Sequence, residues 1–90
     1  MKHYNITVSG KVQGVFYRQS ILEIAKQFGV KGFVRNESNG NVYIEAEGQE
    51  EQLKKLIEWC RHGPPHAMVS DVKSEESGIK NLSEFKIRQL

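Results

Sequence analysis

The dipeptide Asn39-Gly40 places the strongest constraint on how this chain can fold. Asn-Gly is strongly preferred in the tight turns that join two antiparallel strands. Strand-like segments flank it, and in the second of them Val42, Ile44 and Ala46 alternate with polar residues, which is the pattern of a strand with one buried face. The sequence therefore predicts a central antiparallel hairpin to which the other elements must be added.

Helical and strand periods alternate on both sides of this hairpin. Apolar residues that recur about every three or four positions indicate a helix, and a glycine after them commonly ends it. Before the hairpin, the patterns predict a strand Tyr4–Ser9 and a helix from about Tyr17 to Gly29; the hairpin itself comprises the strands Val30–Asn36 and Val42–Glu47. After it, they predict a helix that opens at Gly48 and ends at Gly63, and then a strand Met68–Lys73. A polar excursion Ser74–Asn81 leads to a short last strand that contains Phe85 and Ile87.

The order βαββαβ with an added C-terminal strand restricts the topology. Crossover connections in sheets are right-handed, which places both helices on the same face. The prediction is an α+β fold, a ferredoxin-like α/β sandwich in which an antiparallel sheet carries two helices on one face. Residues 1–90 are predicted to form a single domain, because a chain of this length leaves no room for two. The pairing of the last strand is left open.

Composition and charge exclude several classes of protein. The formal net charge is only +2 and the basic residues are scattered, whereas nucleic-acid binders show a basic patch or stripe. The N-terminus alternates, which predicts no signal peptide, and no apolar run reaches the length of a membrane span. We expect a cytoplasmic protein, a monomer, with neither nucleic acid nor membrane as partner.

The histidines, the cysteine and the acidic residues of the sequence form no recognisable reactive site. The three histidines lack metal-ligand spacing, and the single Cys60 falls on an apolar helix stripe. The sequence predicts no metal and no cofactor. Four acidic residues near the start of the second helix are interpreted as solvated surface and helix start rather than as a carboxylate pair; they are Glu45, Glu47, Glu50 and Glu51.

The informative segment is Gly10–Arg18, where a strand passes into a helix. Its glycines permit backbone dihedrals that allow successive N–H groups to converge, and the helix start adds unpaired N–H groups and positive dipole. Arg18 in the first turn can bind phosphate oxygens with two parallel hydrogen bonds. The spacing matches neither a Walker A loop nor a dinucleotide fingerprint. The alternative is that the glycines only turn the chain and Arg18 is a solvated helix residue.

Taken together, several segments resemble the acylphosphatase family over essentially the whole chain. They are GKVQGVFYR at 10–18, GFVRN at 32–36, GPPHAMV at 63–69 and FKI at 85–87. The resemblance implies that Arg18 is the phosphate-binding arginine and Asn36 the asparagine that orients water. It also implies a phosphate cradle of backbone amides, which belong to Gln13, Gly14, Val15, Phe16, Tyr17 and Arg18.

The activity implied by this resemblance is hydrolysis of an acyl phosphate to a carboxylate and inorganic phosphate, without a metal or cofactor. Two alternatives stay open at this point. Asn36 can be an ordinary strand-end asparagine that satisfies turn backbone. The chain can also be a non-catalytic module that binds an anion or a partner protein, because ferredoxin-like folds serve many functions.

Overall fold

The computed structural model describes residues 1–89. Its elements in chain order are β1 (Lys2–Lys11), α1 (Tyr17–Phe28), β2 (Lys31–Asn36), β3 (Val42–Gly48), α2 (Glu50–His62), β4 (Met68–Ser77) and β5 (Phe85–Arg88). The predicted hairpin is present, with Asn36 paired to Val42 at the end next to its turn. The predicted fold class is confirmed.

The strands form one sheet in the order β4-β1-β3-β2-β5. The four strands β4, β1, β3 and β2 are antiparallel, as predicted. The last strand, whose partner the sequence left open, lies parallel to β2, so the complete sheet is mixed. β4 and β5 therefore occupy opposite edges, and the segment between them has to cross one end of the sheet.

The core lies between one face of the sheet and the two helices. Alternate residues of β1 and β3 point into it, and each helix contributes the apolar stripe predicted from its period. Residues from both layers pack in one cluster and are almost inaccessible to solvent; they include Ile6, Val8, Ile21, Ala25, Ile44, Leu53, Leu56 and Cys60.

The ends of the helices explain how the chain reverses direction. At the end of α1 the N–H of Gly29 donates to Lys26 O at 3.2 Å, and that of Val30 donates to Ala25 O at 2.8 Å. This pair of bonds is the Schellman motif, which confirms Gly29 as the helix stop. The predicted start of α2 was wrong by two residues, because Gly48 still belongs to β3 and Gln49 is the N-cap.

The fourth strand is longer than its side chains suggested. The prediction ended it at Lys73, but Ser74–Ser77 continue to pair with β1, opposite Ile6 to His3. Pairing in a sheet uses backbone groups, so an exposed edge strand can be polar throughout when its neighbour is long enough. The polar excursion accordingly begins after Ser77.

Two glutamates predicted as solvated surface are buried. Glu45 is 8% and Glu47 1% exposed, on the sheet face opposite the helices. His3 lies between them, with Nδ1 at 2.9 Å from Glu47 Oε1 and Nε2 at 2.8 Å from Glu45 Oε1. The backbone N–H groups of Lys80 and Leu82 donate to Glu47 at 2.6 and 2.8 Å. The glutamates therefore bind the segment that leads to β5 and hold it against this face of the sheet.

Candidate active site

The loop between β1 and α1 is fixed at its start by a bulge. The register between β1 and β4 shifts between Ser9 and Gly10, where Gly10 has φ of 122°. A Cβ atom there would lie 2.2 Å from the carbonyl oxygen of Met68, so only glycine fits. Beyond the bulge Val12 is 1% and Val15 8% exposed, and both side chains hold the loop against the core.

The loop ends at Phe16, which has an unusual backbone. Phe16 is the N-cap of α1 and has φ of 65° and ψ of 21°, in the left-handed region that non-glycine residues seldom occupy. A residue in this region next to right-handed ones turns consecutive N–H groups towards one side, which is the geometry of an anion nest. The helix start carries no side-chain cap and no acidic residue in its first turn. Its N–H groups and positive dipole are therefore free to bind an anion.

Arg18 occupies the first turn of α1. It forms no ion pair with any other residue in the described range 1–89, whereas Arg35 lies near Glu37 and Lys80 near Glu45. An arginine with no carboxylate partner keeps all its donors for a ligand. Its location beside the uncapped helix start places two sources of positive charge together.

Asn36 is the last residue of β2 and is half-buried. The alternative that it satisfies turn backbone finds no support, since its Oδ1 is buried without a hydrogen-bond partner in the described part of the chain. Other side chains bind the turn instead. Asn39 Oδ1 accepts from the N–H of Asn41 at 3.0 Å, and Gln13 Nε2 donates to Glu37 O at 2.7 Å and to Asn41 O at 2.8 Å.

The loop, the start of α1 and the end of β2 surround one open cavity of about 320 Å³, here called the α1 cavity. Arg18 and Asn36, which are distant in sequence, both line it. Gly14, Phe16 and Tyr17 also line it, so five of the predicted site residues meet there. Gln13 and Val15 do not line it; Val15 faces the core and the side chain of Gln13 faces the turn.

The comparison with known proteins now decides the family. The acylphosphatase family model matches residues 4–87, which is nearly the full length of the chain. The chain belongs to the acylphosphatase family. The resemblance drawn from the four sequence segments is thereby confirmed, and with it the prediction of a hydrolase that acts on acid anhydrides.

Individual acylphosphatases are similar over most of their length. One from Coxiella burnetii (strain RSA 493) is 43% identical over 84 residues, which cover 93% of this chain and 88% of that protein. One from Marinobacter nauticus is 47% identical over 76 residues, covering 84% and 83%. The crystal structure of acylphosphatase from Bacillus subtilis superposes with a TM-score of 0.95 at 35% identity, covering 98% of this chain and 99% of that one.

Four further residues that sequence reasoning missed line the α1 cavity of this acylphosphatase. They are Val12, Gln19, Ile87 and Gln89. Gln19 follows Arg18 on the first turn of the helix, so its position next to Arg18 could have identified it from the sequence. Ile87 and Gln89 come from the last strand and the residue after it, and their place beside Asn36 follows from the parallel pairing of β5 with β2. That pairing was not readable from local patterns.

Proposed function

We propose that this member of the acylphosphatase family hydrolyses small acyl phosphates to a carboxylate and inorganic phosphate, with Arg18 and loop amides binding the phosphate and Asn36 orienting the water. The observation that carries the proposal is the shared cavity, in which the guanidinium-bearing Arg18 and the carboxamide-bearing Asn36 meet at an uncapped helix start. Relatives named acylphosphatase support the same reaction.

The phosphate end of the substrate matches the electrostatics of the cavity. A phosphoryl group presents several oxygens that need donors, and Arg18 lines the cavity. The proposed cradle of backbone amides runs from Gln13 to Arg18, and within it Gly14, Phe16, Tyr17 and Arg18 line the cavity. Charge-assisted bonds of this kind are roughly twice as strong as neutral ones. Because these donors are in place before the reaction, they stabilise the charge that develops on the phosphoryl oxygens without reorganisation.

The chemical step needs little more than positioning. A water held by the carboxamide of Asn36 attacks phosphorus in line with the leaving carboxylate. The new P–O bond forms as the bond from phosphorus to the acyl oxygen breaks, and its electron pair stays on the carboxylate. The proton of the attacking water passes to an oxygen of the phosphate itself. Since the carboxylate is a good leaving group, no strong base and no covalent nucleophile is required.

The rest of the cavity wall bears on the acyl end. The side chain of Phe16 is 77% exposed and lines the α1 cavity together with Ile87. These apolar groups can lie against the body of an acyl chain, while the phosphate is held at the helix start. As part of the same proposal, the enzyme acts as a cytoplasmic monomer. Within residues 1–89, neither helix has the length and apolar character needed to cross a membrane.

The test separates phosphate binding from water positioning. We expect turnover of acetyl phosphate and benzoyl phosphate, and none of a phosphate monoester. Replacing Arg18 by Ala weakens inhibition by inorganic phosphate and lowers turnover together. Replacing Asn36 by Ala lowers kcat by about 10²-fold and leaves phosphate inhibition nearly unchanged, because the cradle remains.

Arg61→Ala is the matched control for lost charge, since Arg61 is exposed on α2 and lies outside the cavity. Full activity of Arg18→Ala on acetyl phosphate at subsaturating concentration would end the assignment. Binding of phosphate by the wild-type protein without any turnover would identify an anion-binding module instead.

A further inference from the structure

The side chain of Gln13 connects the phosphate loop to the hairpin that carries Asn36. Its Nε2 donates to Glu37 O at 2.7 Å and to Asn41 O at 2.8 Å. A carboxamide NH₂ has two protons, and both are used here. Both bonds are short and partly buried, and they join the loop to two backbone oxygens on either side of the hairpin turn.

The two acceptors lie directly beside Asn36 in the structure. Glu37 directly follows Asn36, the last residue of β2, and Asn41 precedes Val42, which is the partner of Asn36 across the hairpin. Glu37 and Asn41 are also joined by a backbone bond from Glu37 N–H to Asn41 O of 2.8 Å. Gln13 therefore forms hydrogen bonds to both sides of the hairpin, one residue beyond the Asn36–Val42 pair.

The carboxamide of Asn36 has little else to hold it. Its Oδ1 has no hydrogen-bond partner among residues 1–89, so its location depends on the backbone of β2 at the point where that strand ends. The loop side of the connection is independently secured, because Val12 and Val15, on either side of Gln13, are buried in the core. Loss of the Gln13 side chain would thus free the hairpin end while the loop stays in place.

We propose that Gln13 is a positioning residue: its side-chain amide fixes the end of the β2–β3 hairpin against the phosphate loop and so holds Asn36 at the distance that in-line attack requires. This inference rests on the proposed function and adds to it, since Gln13 acts through Asn36 and its side chain does not touch the substrate. A displacement of about 1 Å in a positioning group can cost on the order of 10²-fold in rate.

A double-mutant cycle tests the inference with acetyl phosphate as substrate and inorganic phosphate as inhibitor. The proteins are the wild type, Gln13→Ala, Asn36→Ala and the double variant. We expect Gln13→Ala to lower kcat by about tenfold or more, with the inhibition constant of phosphate within about twofold of the wild type. In the Asn36→Ala background the same change should have no further effect on kcat, because the group that Gln13 positions is gone.

Asn39→Ala is the matched control. It removes the bond from Asn41 N–H to Asn39 Oδ1 in the same turn but leaves the connection to the loop, so kcat should remain near the wild-type value. Gln13→Met keeps the length of the side chain and removes only the donors. It should behave like Gln13→Ala, and it replaces that variant in the cycle if the smaller side chain prevents folding.

Three outcomes overturn the inference. Multiplicative losses of kcat in the double variant would show that Gln13 does not act through Asn36. A weakened phosphate inhibition with kcat retained would make Gln13 part of the phosphate cradle, and wild-type kcat in Gln13→Met would show that the donors are dispensable. Wild-type turnover of Asn36→Ala, by contrast, contradicts the proposed role of Asn36 itself, whatever the Gln13 variants do.

Discussion

The hydroxyl of Tyr17 donates a hydrogen bond to the backbone carbonyl oxygen of Cys60 at 2.9 Å. Tyr17 is the first residue of α1, next to Arg18, and Cys60 lies in the last turn of α2. Carbonyl groups in the last turn of a helix have no partner within the helix, and this one is satisfied by a side chain from its neighbour. The bond therefore ties the helix start that carries Arg18 to the second helix.

Tyr17→Phe should destabilise the protein by about 1–3 kcal/mol, because it leaves the carbonyl of Cys60 buried without a partner while keeping the ring. The ring itself stays useful, since it packs against Trp59 with centroids 5.4 Å apart. Urea unfolding followed by far-UV circular dichroism measures the change. Tyr4→Phe is the control: Tyr4 is half-buried, and we expect the loss of its hydroxyl to change stability by less than about 0.5 kcal/mol. Equal losses in the two variants would contradict the assigned bond.

Gly32→Ala should be among the most damaging single substitutions in the sheet. Gly32 has φ of 145°, and a Cβ atom would lie 1.8 Å from the carbonyl oxygen of Glu45 on the neighbouring strand. Strained dihedrals and a backbone clash together should cost about 3 kcal/mol or more. Gly78→Ala is the control, since Gly78 has open space around its Cα. A melting temperature of Gly32→Ala within a few degrees of the wild-type value would show that β2 and β3 can move apart locally to accommodate the methyl group.

The glycine turns were predictable from the sequence, whereas the burial of the two glutamates was not. The hairpin at Asn39-Gly40 and the end of α1 at Gly29 depend on backbone chemistry of a few adjacent residues, so local patterns predicted them. The burial of Glu45 and Glu47 depends on His3 and on a polar segment that crosses the sheet much later in the chain. Alternation marks both glutamates as facing away from the core, and nothing local indicates that the second face is covered there.

The candidate site divides in the same way. Arg18 and the loop were identified from their position between strand and helix and from the family resemblance, and the structure places Asn36 in the same cavity. The connection through Gln13 was not predicted, because a glutamine that binds two carbonyl groups leaves no mark in hydrophobic periodicity. The contribution of Ile87 also required the long-range pairing of β5 with β2.

Acid should weaken the fold through Glu47. Burial opposes ionisation of this carboxyl, but donors from the backbone of Lys80, from His3 and from the backbone of Leu82 outweigh it and hold its pKa below its ordinary value of 4.5. A carboxyl whose pKa is lower in the folded state stabilises the protein above its unfolded-state pKa, and that contribution is lost as the pH falls through the folded-state pKa. Stability should therefore drop from about pH 5 downwards.

Glu47→Gln tests this origin of the acid sensitivity. The variant should be less stable than the wild type at neutral pH, because the charge that accepts those bonds is gone, and its stability should fall less steeply below about pH 5. Urea midpoints at several pH values provide the measurement. Glu51→Gln, at an exposed site near the start of α2, changes net charge equally and should keep the wild-type slope. An unchanged slope in Glu47→Gln would assign the acid sensitivity to other groups.

Turnover is expected to be independent of divalent metal ions. In the proposed mechanism, Arg18 and the N–H groups at the start of α1 supply the positive charge that the phosphoryl group requires, and no general base takes part. Activity on acetyl phosphate should persist in EDTA and vary little with pH around neutrality. Loss of activity in EDTA that a divalent ion restores would contradict this reading of the electrostatics, and a narrow bell-shaped profile would implicate a histidine.

The thiol of Cys60 offers an independent measure of how tightly the two helices are held. Burial raises its pKa to about 12, and its side chain is inaccessible to solvent. The raised pKa disfavours the thiolate that reacts with disulfide reagents, and burial keeps those reagents away from the sulfur. Labelling in native buffer should therefore be no faster than opening of the structure, and should become rapid in urea above the unfolding midpoint. Ser83→Cys adds an exposed thiol as an internal standard that reacts at once. Fast labelling of Cys60 in the folded protein would mean that α2 separates from the start of α1 far more often than the buried bond between Tyr17 and Cys60 allows.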